Sequence, residues 1–469
     1  MTPADNVVPR GRLRRTMPLA GFTARAAGGR LIAGLREKTG SPGAVERFHE
    51  QTAERYTELL GHSKGALMKA GQILSMIDAG AIGSSGFAPY QRALARLQTA
   101  APPMPVALVH TVLEDELGSG IECFAEFDDE PIAAASVGQV HRAVLRDGRA
   151  VAVKIQYPGV AQAIRDDLAN TELLITFMRL GAAATGMTID IRAMAAEITA
   201  RITEEVDYRH EAAMITAFAD LLRGHPFIRI PEVVPEASSD QVLTMTYLDG
   251  MDWAAAQHAD QDLRNTWAEA VFRFINSGSR HSNLVQVDPH PGNFRFNPDG
   301  TVGCLDFGCV QTFPERPRWL FLALMHAGME GRFDDCRDHM TEMGLISAET
   351  PLSDQDLRRI VADMTHATTA PQPVTYTSDT AAGSLRALFG DQNFLPAGQM
   401  TVTREFVFLP RLQIAFDHIA TGLRATVPVR SILEDLSGIA EPTTELGKLH
   451  HAWLRERGLP RGLDHHDHP

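Results

Sequence analysis

The chain has 469 residues, 44% hydrophobic and 22% charged, enough apolar material to bury large cores, and this excludes a disordered protein. Its formal net charge of −14 argues against nucleic acid as a principal partner, and its four cysteines, Cys123, Cys304, Cys309 and Cys336, lack the CxxC spacing of a zinc or disulfide framework and point to a reducing cytoplasm. No run of eighteen apolar residues and no signal-peptide core stands out, so neither a membrane-spanning helix nor secretion is expected.

Charge is uneven along the chain. The segment from Val8 to Lys38 is rich in arginine, including Arg10, Arg12, Arg14 and Arg15, with Glu37 as its one acid. Such an arm suits a peripheral contact with anionic lipid headgroups, but its glycine and proline interruptions favour a disordered segment. Spaced apolar residues in Val45–Leu60 and Leu67–Ile77 then predict helices. The second contains LMKAGQILSM, in which Lys69 and Gln72, at i and i+3, share one face. Gly71 inside that helix costs about 1 kcal/mol relative to alanine and points to close approach by another element. The prolines of Ala100–Pro105 make a linker.

A small lobe is expected next. In PIAAASVGQVHRAVLRDGRAVAVKIQ, Gln139–Leu145 and Ala150–Gln156 alternate as strands around the turn Arg146–Arg149 and predict a hairpin. Ala133, Ala134, Ala135 and Ser136 stand where a glycine-rich phosphate loop would lie, followed only by Gly138, and a loop of alanines is stiffer than one of glycines. Lys154, on the second strand, can reach the α- and β-phosphates of ATP as a point charge, although a lone strand lysine is commonly a solvated edge residue. Leu173–Met187 reads as a helix of a soluble core. EVDYRHEA supplies Glu205, Asp207 and Glu211; on one continuous helix, Glu205 and Glu211 would lie about 120° apart and serve two different partners. A strand over Gln241–Leu248 should end at a hinge near Asp249-Gly250, making Met245, Tyr247 and Leu248 candidates for adenine contact or for plain sheet packing.

The most informative stretch follows, QVDPHPGNFRFNPDGTVGCLDFG. Two apolar runs, Phe294–Phe296 and Val302–Leu305, flank the turn signal Asn297-Pro298-Asp299-Gly300 and predict a hairpin that carries Asn293 toward Asp306. Two such oxygen donors suit Mg²⁺, and Asp288 stands where a hydroxyl nucleophile would approach a terminal phosphate. The spacing Asp288, Asn293, Asp306 is similar to that of protein kinases, although there is no His-Arg-Asp triplet before it and no Ala-Pro-Glu after it. Helices are predicted over Leu263–Ile275, Arg316–Met329, Asp354–His366 and Val402–Ile419. The polar tail holds His465, His466 and His468.

Four motifs together, LMKAGQILSM, AAASVGQVH, EVDYRHEA and DPHPGN with its later DFG, resemble the ABC1 family of atypical kinases, also called ADCK or UbiB. The likeness implies an α+β, protein-kinase-like fold with a small β-sheet lobe and a large helical lobe. It implies ATP and Mg²⁺ as cofactors and a link to isoprenoid quinone metabolism. It further implies that Glu211 pairs with Lys154, while Glu205 faces Lys69 of a KxGQ helix covering the protein-substrate entrance. That cover favours ATP hydrolysis or a small-molecule or lipid acceptor. The expected plan is a basic arm (1–40), the KxGQ extension and linker (41–105), small lobe (106–248), large lobe (249–445) and polar tail (446–469). A small-molecule phosphotransferase of the aminoglycoside or choline kinase type, whose Asp-x-His-x-x-Asn run Asp288, His290 and Asn293 satisfy, and a nucleotide-binding scaffold are the alternatives.

Overall fold

The structure, a computed structural model, describes residues 103–134, 137–168, 203–204, 206–347, 349, 352–377, 380 and 409–462. The basic arm, Lys69 and Gln72, Leu173–Met187 and the tail histidines lie outside them. The chain divides into two units, Met1–Ala212 with Val233–Tyr247, and Ala213–Glu232 with Leu248–Pro469.

In the first unit, helix α1 (Val106–Leu117) leads into strands β1 (Phe124–Phe127), β2 (Ala133–Ala134), β3 (Gly138–Leu145) and β4 (Ala150–Gln156), followed by helix α2 (Val160–Leu168). Helix α3 (Tyr208–Leu221) runs past the division, β5 (Ile228–Arg229) belongs to the second unit and pairs there with Val302 and Gly303, and β6 (Val242–Thr246) is again in the first. The sheet has the order β1-β3-β4-β6 with β2 on β3, and its pairings are all antiparallel. Val151, Val153 and Ile155 alternate into the core at 0% exposure, so Lys154 projects from the opposite face. At the strand start, Gly138 pairs with Gln156, and a Cβ there would meet the Ile155 carbonyl oxygen at 2.1 Å. Only glycine permits that approach.

The second unit is mainly helical. Helices α4 (Trp253–Ala256) and α5 (Gln261–His281) precede β7 (Leu284–Gln286), β8 (Phe294–Phe296), β9 (Val302–Cys304) and β10 (Val310–Thr312). Then come α6 (Glu315–Glu330), α7 (Phe333–Glu342), α8 (Asp354–Thr369), β11 (Val374–Thr375), α9 (Leu409–Gly422), β12 (Thr426–Val427), α10 (Val429–Leu436) and α11 (Glu445–Arg457). The α5 helix is longer than its apolar spacing predicts, because it is buried on nearly every side: Trp267, Ala268, Ala270 and Val271 are all at 0% exposure. Helices α6, α7 and α8 close on a separate core of Leu320, Leu324, Met340, Ile360 and Val361. Ser353 starts α8 by accepting the Asp356 N–H at 3.1 Å, and Thr444 starts α11 by accepting that of Gly447 at 3.0 Å.

Two buried polar networks fasten α11 to this unit. Arg273 of α5, at 0% exposure, donates to both Asp435 oxygens at 2.8 and 2.7 Å, to Glu269 at 2.8 Å and to Thr444 at 3.1 Å. The second network is a file of histidines. His225 Nδ1 accepts from the Ile228 N–H at 3.1 Å, His225 Nε2 meets His450 Nδ1 at 2.9 Å, His450 Nε2 meets His281 Nε2 at 3.0 Å, and His281 Nδ1 meets the Pro460 carbonyl at 3.1 Å. An amide that can only donate stands at one end and a carbonyl that can only accept at the other. The file therefore closes with one proton on each ring, all three neutral.

Burial first, then the Arg229 cation, pushes His225 down to about 3, and burial followed by the Arg280 cation pushes His281 down to about 4. Burial likewise holds His450 well below its ordinary range. The unfolded chain takes up protons on these rings near pH ~6.5 while the folded one refuses them, so their contribution to stability is complete above that pH and is lost as pH falls toward 4. Chemical denaturation should give an unfolding free energy that declines between about pH 6.5 and pH 5, with a shallower decline in a His450→Gln variant. Identical slopes in the two proteins would contradict the neutral file.

Candidate active site

Lys154 and Glu211 meet inside the first unit. Lys154 Nζ donates to both Glu211 carboxylate oxygens, at 2.9 and 2.8 Å, and the residues are only 8% and 1% exposed. Register holds the lysine, since it pairs with Val140 of β3 and Leu243 of β6. A cap holds the glutamate. Asp207 Oδ1 accepts the His210 N–H at 2.9 Å and its carbonyl accepts that of Glu211 at 3.0 Å, so α3 starts at Tyr208 and presents Glu211 in its first turn. Gln156, two residues beyond Lys154 on the same strand face, donates to the Val206 carbonyl at 2.7 Å and fixes the chain entering that cap. The Tyr208 ring lies 5.2 Å from Lys154 Nζ, adding a cation–π contact.

This arrangement corrects the expectation of one helix carrying both Glu205 and Glu211. Val206 is in a turn and Asp207 precedes the helix, so the 120° argument does not apply. The capping aspartate interrupts the helical run; Glu205 itself lies outside the described residues. The alanine loop also differs from a plain loop, because Ala133 and Ala134 pair with Val140 and Gln139 as β2. Ala135 and Ser136 are outside the described residues. Lys154 lies within β4, which runs from Ala150 through Gln156 as the alternation predicts. Met245 is buried in β6, and the Tyr247 N–H donates to the Ala150 carbonyl at 2.9 Å.

The second unit positions Asp288, Asn293 and Asp306. The expected hairpin is present: Phe294, Arg295 and Phe296 pair with Cys304, Gly303 and Val302 around a turn whose Gly300 has φ +83°. Beyond the last pair, the Leu305 N–H donates to the Asn293 carbonyl at 2.9 Å, which places Asn293 beside the residue preceding Asp306. Gln286, buried at 4% exposure, was not singled out from the sequence. Its amide donates to the Asp288 carbonyl at 2.9 Å and to the Asp306 carbonyl at 3.4 Å, and its oxygen accepts the Asp288 N–H at 3.1 Å. One side chain thus ties both acidic segments. Its signal in the sequence is a polar residue ending the apolar run Leu284-Val285.

Asp306 Oδ1 accepts the Gly308 N–H at 3.0 Å, and Phe307, fully buried, packs on Phe218 with ring centroids 4.8 Å apart. Asp288, Asn293 and Asp306 themselves are half-buried. Leu248 borders this hairpin, since a Cβ at Gly303 would lie 3.1 Å from its Cδ1. Cys304 is buried, which raises its thiol, and Cys309 is half-buried. Among the described residues, no three His, Cys, Asp or Glu side chains group as ligands for a metal ion. Asp306 offers a carboxylate and Asn293 an amide oxygen, donor types that a hard ion accepts.

Comparison with known proteins joins these features. A family model described as the ABC1 atypical kinase-like domain matches residues 96–340. The mitochondrial atypical kinase COQ8B of Danio rerio is 33% identical over 302 residues, covering 64% of this chain and 47% of its own. The mitochondrial atypical kinase COQ8 of Saccharomyces cerevisiae is 32% identical over 268 residues, covering 57% and 52%. The chain therefore spans about half the length of these two relatives. Among solved structures, the complex of Rv3197 with erythromycin from Mycobacterium tuberculosis superposes with a TM-score of 0.60 at 31% identity, covering 85% of this chain and 98% of that one.

Breaking the buried pair from one side leaves an uncompensated charge, so Glu211→Gln should lower the unfolding free energy by about 3 kcal/mol. Lys154→Met combined with Glu211→Leu should recover most of that loss. Equilibrium denaturation checks both, and a single variant as stable as the parent would contradict a buried ion pair.

Proposed function

The chain belongs to the ABC1 atypical kinase family, with its α+β kinase-like fold, and from that premise we propose that it binds Mg-ATP and transfers or hydrolyses the terminal phosphoryl group. The observation that carries this reading is the Lys154–Glu211 pair. A buried ammonium held by a bidentate carboxylate is presented in one orientation, ready to neutralise phosphate oxygens.

The remaining roles follow from the chemistry of each group. Asn293 and Asp306 would hold Mg²⁺, which when bound neutralises charge on the phosphates. Asp288, with its backbone fixed by Gln286, orients the nucleophile and takes up its proton, whether the nucleophile is water or an acceptor hydroxyl. Ala133–Ser136 cover the phosphates, and Met245, Tyr247 and Leu248 contact adenine. Lys69 and Gln72 of the KxGQ segment, with Glu205 and Asp207, restrict entry of large substrates. The division into arm, extension, two lobes and tail belongs to the same proposal.

The acceptor is a small molecule or lipid, and support of isoprenoid quinone metabolism fits the family. A peripheral membrane contact through the basic arm is part of this reading; among the described residues no helix is long and apolar enough to cross a membrane. The Mycobacterium tuberculosis protein solved in complex with erythromycin favours a second reading, in which this chain too binds a ligand of that kind. Phosphate release with and without Mg²⁺ separates an enzyme from a nucleotide-binding scaffold, and labelled ATP with candidate acceptors separates transferase from ATPase.

Asp306→Asn should reduce Mg-ATP turnover by about two to three orders of magnitude, the effect of losing one preorganised charge. Its unfolding profile should match the parent's, because an amide oxygen still accepts the Gly308 N–H. Normal turnover in that variant would refute the assignment.

A further inference from the structure

Two buried polar residues in the alanine-loop motif have no part in the roles above. Gln139 and His141 are 1% and 0% exposed on β3, yet their side chains are joined to two other segments. The Met104 N–H donates to Gln139 Oε1 at 2.6 Å, Gln139 Nε2 meets His141 Nε2 at 2.7 Å, and His141 Nδ1 meets the Asp128 carbonyl at 2.7 Å. Proton inventory settles the direction of every link. Met104 N–H can only donate, so the Gln139 oxygen accepts and its NH₂ faces His141. His141 Nε2 must therefore be bare and Nδ1 must carry the proton that the Asp128 carbonyl accepts. The chain of bonds closes only with a neutral imidazole.

Its ends matter more than its middle. Met104 lies within the proline linker and is the first buried residue among those described, and Asp128 opens the segment that leads into the alanine loop. That segment is also laid along β3 by backbone bonds, from the Asp128 N–H to Arg142 at 2.9 Å and from the Ile132 N–H to Val140 at 2.8 Å. Ala134, in turn, pairs directly with Gln139. One glutamine thus contacts both Met104 and the strand β2.

We propose that Gln139 and His141 form a clip that ties Met104 and Asp128 to β3 and so positions β2 and the alanine loop for nucleotide. The proposal rests on the reading of this loop as the cover of the ATP phosphates. Both are positioning residues. The clip acts through β2 and the loop rather than on the reacting atoms, so it supports ground state and transition state alike. Its loss should therefore appear in KM rather than in kcat.

The surroundings of His141 allow a sharper test. Phe127 stacks on its ring at 5.0 Å, while Asp129, His110 of α1 and Asp128 are the titratable groups facing it. Burial, the largest influence, lowers its affinity for a proton. Gln139→Leu removes the clip at every pH. Gln139→Glu can still accept from Met104, but its carboxylate cannot donate to a bare Nε2, so the clip closes only when His141 is protonated.

The experiment is basal Mg-ATP hydrolysis by the full chain, with KM and kcat measured from about pH 6 to pH 8.5 for the parent, Gln139→Leu and Gln139→Glu. For Gln139→Leu we expect KM for ATP raised about fivefold to tenfold with kcat within about twofold, the scale of one buried hydrogen bond. For Gln139→Glu, KM should be near the parent's at the acid end and climb toward the leucine value as the imidazolium loses its proton. Unchanged KM in both variants, or a Gln139→Glu KM that ignores pH while the parent turns over normally, overturns the clip alone. Absence of Mg-ATP binding and turnover in the parent overturns the ATP reading and the clip with it.

Discussion

A lysine ammonium buried against a glutamate carboxylate is the constraint around which the first unit is organised. Burying either charge alone would cost several kcal/mol, so the chain must deliver both to one place. Delivery of Lys154 depends on a sheet whose register sets it between Val140 and Leu243, and that register in turn needs the bare backbone of Gly138 against Ile155. Glu211 arrives by a different route, through the Gln156 bond to Val206 and the Asp207 cap at the head of α3. Side chains from several segments thus cooperate to hold one ion pair. An ion pair held so rigidly has little left to reorganise when a further charge arrives.

The second unit follows the same logic with backbone in place of charge. Asp288, Asn293 and Asp306 are polar and half-buried, and cannot be packed as a core. Asn293 and Asp306 flank the two ends of a short hairpin whose Phe294 and Phe296 are fully buried, as is Phe307 beyond it, and Gln286 binds the main chains of Asp288 and Asp306 together. Farther from the site, the neutral histidine file and the Arg273 network hold the last helix in place by groups that must all be satisfied at once.

Much of this was legible in the residues. The β3–β4 and β8–β9 hairpins follow from alternation and from turn chemistry at Asp147-Gly148 and Asp299-Gly300, signals that act over a few residues and need no tertiary knowledge. Helices with a clear apolar face, such as α6 and α8, were placed to within three residues at either end. What escaped was set by long-range contact. Asp207 looked like a helical residue because a cap is distinguished from an interior position only by where the helix begins. Gln286, Gln139 and the partners His225, His281 and His450 are far apart in sequence or unremarkable in type, and a buried amide or imidazole has no periodic signature. The full extent of α5 was hidden for a related reason: a helix buried on all sides loses the polar stripe that marks its ends.

The central claim is that Lys154 is the lysine that touches nucleotide phosphate. An acyl-phosphate derivative of ATP, which transfers its acyl group to a lysine beside the bound phosphates, tests this directly when followed by peptide mass spectrometry. Acylation should fall on Lys154 and disappear when excess Mg-ATP competes. Competed labelling at another lysine with Lys154 untouched, or labelling that Mg-ATP fails to suppress, would contradict the account.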